Sequence, residues 1–322
     1  MKREYTALID SDWQDRTIKE YLREELNASS GIIKSLKARN GIYVNKAPAF
    51  VSRVLKKGEI LTLILEEEEA RSNIPVVYGH LDVIYEDEDI LILNKPPNMP
   101  VHPSPGHERD TLSSLTAGYY AAKGQNVVCR FVNRLDCGTS GLIVMAKHAL
   151  AHSVLASQLH TNAFKRGYLA VTEGKISRGG IIDAPILAPE TGIKRIVALG
   201  GQPSRTQFEP LEYSKDYTLL ELLLHTGRTH QIRAHMAYIG HPLYGDWLYG
   251  REFSGGIERP ALHSAHLELI HPLNKRALEF DAPMPEDMLA LLERLRRVDP
   301  ESAARLHENN VGRIVRAIEV YE

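Results

Sequence analysis

Residues 132–147 read VNRLDCGTSGLIVMAK. An arginine, a leucine and an aspartate run into a Gly-Thr-Ser-Gly turn, and a wholly apolar strand, Leu142 to Met145, follows at once. A carboxylate beside so hydrophobic a strand must be hydrogen-bonded, paired, or kept for chemistry. For an isolated Arg-Leu-Asp, the plainest role of Asp136 is to cap its own turn on the backbone of Thr139 and Ser140.

The strand also sets the fold class. Ile90 to Leu93 and Tyr168 to Val171 read as further strands, and SRTQFEPLEY (204–213) and TLLELLLHT (218–226) flank a hairpin turn at 214–217. LELIHPL (267–273) and ALEFDAP (277–283) close the series. Helices are predicted over Thr111 to Tyr120, behind an Asp110/Thr111 cap, and over Ala149 to Leu159. RTHQIRAHMAYIG is predicted as a third, capped near Thr226 and stopped by Gly240. Strands joined partly by hairpins and partly through helices imply an α+β fold, with a mixed, largely antiparallel central sheet and peripheral helices.

A smaller unit precedes this one. Ile18, Tyr21, Leu22 and Leu26 keep helical spacing, and Ser29 or Ser30 can cap a second helix that buries Ile32, Ile33 and Leu36. Asn40-Gly41 stops it, and strands follow at Ile42–Val44 and Ile60–Leu65. From Gly31 to Gly58 the charges are Lys34, Lys37, Arg39, Lys46, Arg53, Lys56 and Lys57, with no acidic residue among them. Glutamates 66–69 and the run Glu86-Asp87-Glu88-Asp89 offset them, so a net charge of −2 conceals a basic face. The expected boundaries are 1–70 for the small module, 71–84 for a linker, 85–290 for the main domain and 291–322 for a C-terminal helical extension.

Composition excludes several classes. The chain has 322 residues, 43% of them hydrophobic and 25% charged, as in ordinary globular proteins. No apolar run approaches the roughly 20 residues of a membrane span. The start, MKREYTALID, is charged and lacks a signal-peptide stretch, so a cytoplasmic protein without membrane contact is expected. The two cysteines, Cys129 and Cys137, allow neither a disulfide framework nor a zinc cage. His230 and His235 are five apart, the wrong spacing for a helical zinc pair, so no metal is expected. Nothing matches a P-loop or a GxSxG elbow, and no nucleotide cofactor is expected.

Four stretches in order carry a resemblance. NRLDCGTSGLIVMAK is similar to the HRLDxxTSGLxxxAK signature of the RluA-type pseudouridine synthases. ILILNKPPNMPVHP (90–103) resembles that family's first motif, FKRGYLAVTEG (164–174) its tyrosine strand, and LLLHTGRTHQIRAHMAYIGHPLYGDWLYG (222–250) its third motif. SSGIIKSLKARNGIYVNKAPAFVSRVLKKGE (29–59) resembles the RNA-binding module of ribosomal protein S-four type. Asn133 stands where the family has His, and Gly138 replaces a polar residue. Asn98 stands where a glycine is usual, and Asn is the next most tolerant residue of a left-handed turn.

The resemblance implies isomerisation of specific uridines in structured RNA, without cofactor. Ribosomal RNA of the large subunit is the expected substrate, transfer RNA the alternative, and a monomer is expected. It implies that Asp136 acts at the ribose, either trapping the anomeric carbon or removing a ribose proton. Arg233 would be its partner, and Tyr168 would stack on the uracil and assist removal of the carbon-5 proton. The target base must leave its stack, and Arg134 would fill the gap. Asn133, Arg228 and His230 are further implied RNA contacts near the site, with Lys34, Lys37, Arg39 and Lys46 on the module. Two other readings compete: a non-catalytic RNA-binding protein on the same fold, and a glycosidase, which needs a second carboxylate such as Asp246.

Overall fold

The computed structural model describes residues 2–66, 74–159, 161–251 and 256–298. Its first sheet is built from β1 (Lys2–Leu8), β2 (Ile42–Val44), β3 (Ala47–Pro48) and β4 (Ile60–Glu66), in the order β1-β4-β2-β3. α1 (Ile18–Glu20) runs into one π-helical turn (Tyr21–Glu25), and α2 (Ser30–Ala38) follows, with Ser29 accepting from the Ile32 N–H as its cap. Ile18, Leu22, Leu26, Ile33 and Leu36 face the sheet and are buried there. The spacing of the first helix was legible, but its N-terminal strand partner β1 was not. β1 opens on three charged residues and buries Tyr5 alone, and only pairing with β4 makes it a strand.

The second sheet has ten strands. They are β5 (Val83–Glu86), β6 (Ile90–Lys95), β7 (Arg130–Phe131), β8 (Ser140–Ala146), β9 (Phe164–Glu173), β10 (Gly180–Asp183), β13 (Arg205–Tyr213), β14 (Tyr217–Leu224), β15 (Leu262–Ile270) and β16 (Ala277–Asp281), while β11 (Ile186–Leu187) and β12 (Ile196–Val197) pair separately. The main path is β10-β13-β14-β9-β15-β8-β6-β5, with β16 on β15 and β7 on β8. Among the described residues, only the β8–β15 pairing is parallel. Helices α3 (Leu112–Ala122), α4 (Ala149–Gln158), α5 (Gln231–Tyr238) and α6 (Glu286–Val298) cover it. The fold is therefore α+β with a mixed, largely antiparallel sheet.

The apolar run of β8 now has its reason. Ile143 and Met145 pack with α3 and α5 residues on one face, while Leu142 and Val144 pack with Ala151 and Leu155 of α4 on the other. A strand covered on both faces reads as a continuous hydrophobic run rather than an alternating one. Each such side chain contributes roughly 1.5–3 kcal/mol of burial. Gly141 opens the parallel junction, where φ is +107° and an added Cβ would stand 2.2 Å from the Ser264 carbonyl oxygen. No other residue fits there.

The two sheets meet through a polar clasp. Arg3 Nε donates to Asp89 Oδ1 at 2.8 Å, His148 Nε2 lies 2.9 Å from the same oxygen, and His271 Nε2 lies 2.9 Å from Asp87 Oδ2. Leu150 and Leu273 join the apolar core of the N-terminal unit. At the other end, Met288, Leu291 and Leu292 of α6 are buried against Leu169, Val171 and Tyr217. The expected boundary at 290/291 thus cuts a helix that packs on the large sheet, and residues 299–322 of the expected extension lie outside the described residues. No helix among the described residues is long and apolar enough to cross a membrane.

Candidate active site

β9 delivers Tyr168, the loop after β7 delivers Arg134 and Asp136, and the loop after β14 leads into α5 with Arg228, His230 and Arg233. These six line one shallow cleft of about 50 Å³. Lys34, Lys37, Arg39 and Lys46 are exposed on the N-terminal unit, away from this cleft. A larger hollow of about 390 Å³ is lined by Glu209, Glu221, Glu268, Glu279 and Asp281. Five carboxylates make it a poor seat for a polyanion.

Asp136 is not spent on its turn. The Thr139 N–H closes the turn on the backbone oxygen of Asp136 at 3.1 Å. The carboxylate accepts one hydrogen bond among the described residues, from Arg233 Nη1 at 3.4 Å, and His230 Nε2 stands 3.9 Å from the same Oδ2. Its side chain is 26% exposed.

Arg233 has a second and closer partner. Its Nε donates to Asp246 Oδ2 at 2.7 Å and its Nη2 to Asp246 Oδ1 at 2.8 Å. The guanidinium also lies over the Tyr249 ring, 5.1 Å from the centroid. Asp246 is completely buried and also accepts from the Leu248 and Tyr249 N–H groups. It orients the arginine and does not face the cleft, which removes it as the second carboxylate of a glycosidase.

His230, not Thr226, begins α5. Thr226 Oγ1 instead accepts from the Arg205 N–H and donates to Gln231 Oε1. His230 adopts φ +56°, an uncommon left-handed conformation for a side chain of its size. That bend places its Nδ1 3.2 Å from the Tyr249 hydroxyl. Burial holds its imidazole below the ordinary histidine value, with Asp136 acting against that. Tyr168 is buried, and burial holds its phenol above the ordinary value, with Arg166 and a hydrogen bond to Ser264 opposing. It enters the cleft as a neutral hydroxyl.

One expected RNA contact is corrected. Asn133 is 3% exposed, its Oδ1 accepts from the Val144 N–H at 2.8 Å, and its Nδ2 reaches the Leu142 carbonyl. It pins the loop to β8 and cannot reach RNA. Asn98, by contrast, takes φ +56°, the left-handed turn expected of it.

Three supports were missed in the sequence. Lys95 Nζ donates to the carbonyls of Pro96, Met99 and Cys137 at 2.8, 2.9 and 3.0 Å, tying the first motif to the Asp136 loop. Arg259 Nη1 donates to the Gly138 carbonyl at 3.0 Å, while its Nε and Nη2 hold Asp287 of α6. His263 Nδ1 lies 2.9 Å from Ser140 Oγ. Only Lys95, a charge ending an apolar strand, carried a signal for this.

Comparison with known proteins bears on this geometry. The RNA pseudouridylate synthase family model matches residues 89–238. A second model, IPP transferase, matches residues 248–322, whose described part includes β15, β16 and α6 of the large sheet. The chain is 39% identical over 288 residues to the uncharacterized RNA pseudouridine synthase YhcT of Bacillus subtilis, covering 87% of this chain and 94% of that one. It is 40% identical over 247 residues to ribosomal large subunit pseudouridine synthase D of Escherichia coli K12, covering 71% and 74%. Among solved structures, human RNA pseudouridylate synthase domain containing 1 superposes with a TM-score of 0.58 at 23% identity, over 76% of this chain and 97% of that one, a likeness of fold. Near-full coverage of the Bacillus relative, on a site whose aspartate is left free by its own turn, makes this chain a member of the RNA pseudouridine synthases.

Proposed function

We propose that the chain isomerises uridines of large-subunit ribosomal RNA, with Asp136 as the group that attacks the ribose. The observation that carries the role of Asp136 is its carboxylate, half-open to the cleft and used by no backbone donor of its own loop. The substrate rests on the Escherichia coli relative, named for the large ribosomal subunit.

Pseudouridine formation breaks the bond from the anomeric carbon to uracil N1, turns the base and rejoins it through carbon 5. Uracil loses its carbon-5 proton and N1 gains one, so no electrons enter or leave. One carboxylate near the sugar is enough to begin. As the bond to uracil N1 breaks, Asp136 either bonds the anomeric carbon or takes a ribose proton to give a glycal, and Arg233, fixed by Asp246, keeps the carboxylate ionised until that step. Tyr168 is suited to stack on the freed uracil and to assist removal of the carbon-5 proton. Arg134, exposed at the cleft rim, takes the place of the flipped base. The N-terminal unit, of ribosomal protein S-four type in its motif, presents Lys34, Lys37, Arg39 and Lys46 to phosphates.

The test is tritium release from ribosomal and transfer RNA transcripts labelled at uracil carbon 5. Wild type is expected to release tritium from large-subunit RNA and Asp136→Ala to release none while still binding that RNA. Release by Asp136→Ala would remove the aspartate from the chemistry. Release from transfer RNA alone would move the substrate.

A further inference from the structure

Among the described residues, three buried side-chain atoms have no hydrogen-bond partner: Thr139 Oγ1, Arg166 Nε and Glu173 Oε1. Two of these belong to the cleft region. Thr139 lines the cleft directly. Arg166 precedes Tyr168 by two residues on β9, so the two side chains leave the same face of the strand.

Arg166 is 7% exposed, and no hydrogen bond or ion pair engages its guanidinium among the described residues. The other deeply buried arginines behave differently. Arg233 is gripped by Asp246, and Arg259 by Asp287 and three carbonyls. A guanidinium is always charged and brings five donors, and here its Nε is buried with no partner, which is unfavourable unless an anion completes it. A buried donor left without a protein partner calls for one from outside, a water, an ion or a ligand.

The loop above it is shaped to this arginine. An added Cβ at Gly227 would stand 2.6 Å from Arg166 Nη1, so glycine lets the chain close over the guanidinium. The residues that follow Gly227, Arg228 and His230, line the cleft with Asp136 and Tyr168. The guanidinium therefore lies beneath the rim over which an RNA strand must enter.

We propose that Arg166 receives a phosphate of the RNA backbone beside the flipped uridine. The inference rests on RNA being the substrate. A uracil carbonyl would leave the positive charge uncompensated, and the carboxylate of Asp136 already has Arg233. The phosphodiester is the one anion the RNA itself brings, and it matches the planar fork of an arginine. Arg166 is thus a binding residue that sets how deeply the strand sits, distinct from the groups at the ribose.

The experiment uses the full chain as wild type, Arg166→Met and Arg166→Gln, with a large-subunit ribosomal RNA transcript as probe. Binding is measured across a salt series, and kcat/KM by tritium release. Loss of one phosphate contact lowers the slope of log affinity against log salt by about one. It is expected to lower kcat/KM roughly ten- to hundredfold. The melting temperature of the free protein should be kept or raised, because no native partner is lost. An unchanged salt slope in both variants overturns the proposal. So does a protein that no longer folds without Arg166, since that would make the arginine a structural element. If wild type releases tritium from no RNA, the reaction assigned above fails, while the salt slope still judges Arg166.

Discussion

Arg233 holds Asp246 through a two-bond fork, Nε to Oδ2 at 2.7 Å and Nη2 to Oδ1 at 2.8 Å. That grip leaves Nη1 as the nitrogen that reaches Asp136, at 3.4 Å. The arginine is therefore aimed by one carboxylate at another. Asp246→Asn keeps the shape but removes the charge, leaving a buried guanidinium half-served. We expect a stability loss of about 3 kcal/mol in denaturant unfolding. We also expect tritium release to fall about tenfold, as Arg233 loses its fixed direction toward Asp136. Full activity in Asp246→Asn would show that the fork does not aim the arginine.

His263 makes the fold sensitive to acid. It is 1% exposed, between Ser140 Oγ at 2.9 Å and the Ala282 carbonyl at 3.2 Å, so the neutral ring donates from Nε2 and accepts at Nδ1. Burial pushes its value down from 6.5 to about 4. Between those values the unfolded chain binds the extra proton, so stability rises with pH across the window and is lost as pH falls from 6.5 to 4. The loss is about 3 kcal/mol from this group. Unfolding of wild type and His263→Gln at a series of pH values should show the variant losing less over that window. Parallel curves would remove His263 from the acid response.

Much of this site was legible because its residues sit in contiguous motifs. Asp136, Tyr168, Arg233, Arg134, Arg228 and His230 were singled out in the sequence, and they line one cleft. The strand after Asp136 was legible because burial on both faces leaves an unbroken apolar run. What escaped was set by partners far along the chain. Asn133 faces RNA only in a motif comparison, and the Val144 N–H claims its side chain. The cap of α5 slipped from Thr226 to His230 because Thr226 is drawn to Arg205 on β13. Asp246 looked like a spare carboxylate until the fold put Arg233 against it. β1 has no apolar stripe of its own and depends on β4 for every ladder bond.

Lys95 gives an alkaline counterpart. The side chain is fully buried, and burial pulls its ammonium from 10.5 down to about 7, while three surrounding carbonyls favour the charged form. Between 7 and 10.5 the unfolded chain holds more protons, so this residue's contribution to stability grows as pH rises through that range. The change is at most about 4 kcal/mol. Relative to Lys95→Met, wild type should therefore gain stability from pH 7 to pH 9.5 in denaturant unfolding. The variant should also release tritium more slowly at every pH, because the Cys137 carbonyl loses its tie beside Asp136. A wild-type advantage that shrinks with rising pH would reverse the assigned sign.

The basic face of the N-terminal unit should act on binding and leave the chemistry alone. α2 buries Ile33 and Leu36 and turns Lys34 and Lys37 outward, with Arg39 just past its last turn. None of the three lines the cleft that holds Asp136. The triple change Lys34→Gln, Lys37→Gln, Arg39→Gln keeps the exposed face polar, so stability should move by less than about 1 kcal/mol. If each cation contacts one phosphate, the slope of log affinity against log salt should fall by up to about three. KM for a ribosomal RNA transcript should rise while kcat stays near wild type, because these contacts are made equally in the bound and reacting states. A fall in kcat at unchanged KM would instead mean that the N-terminal unit shapes the cleft through its clasp with Asp89, and the RNA-binding role of α2 would be withdrawn.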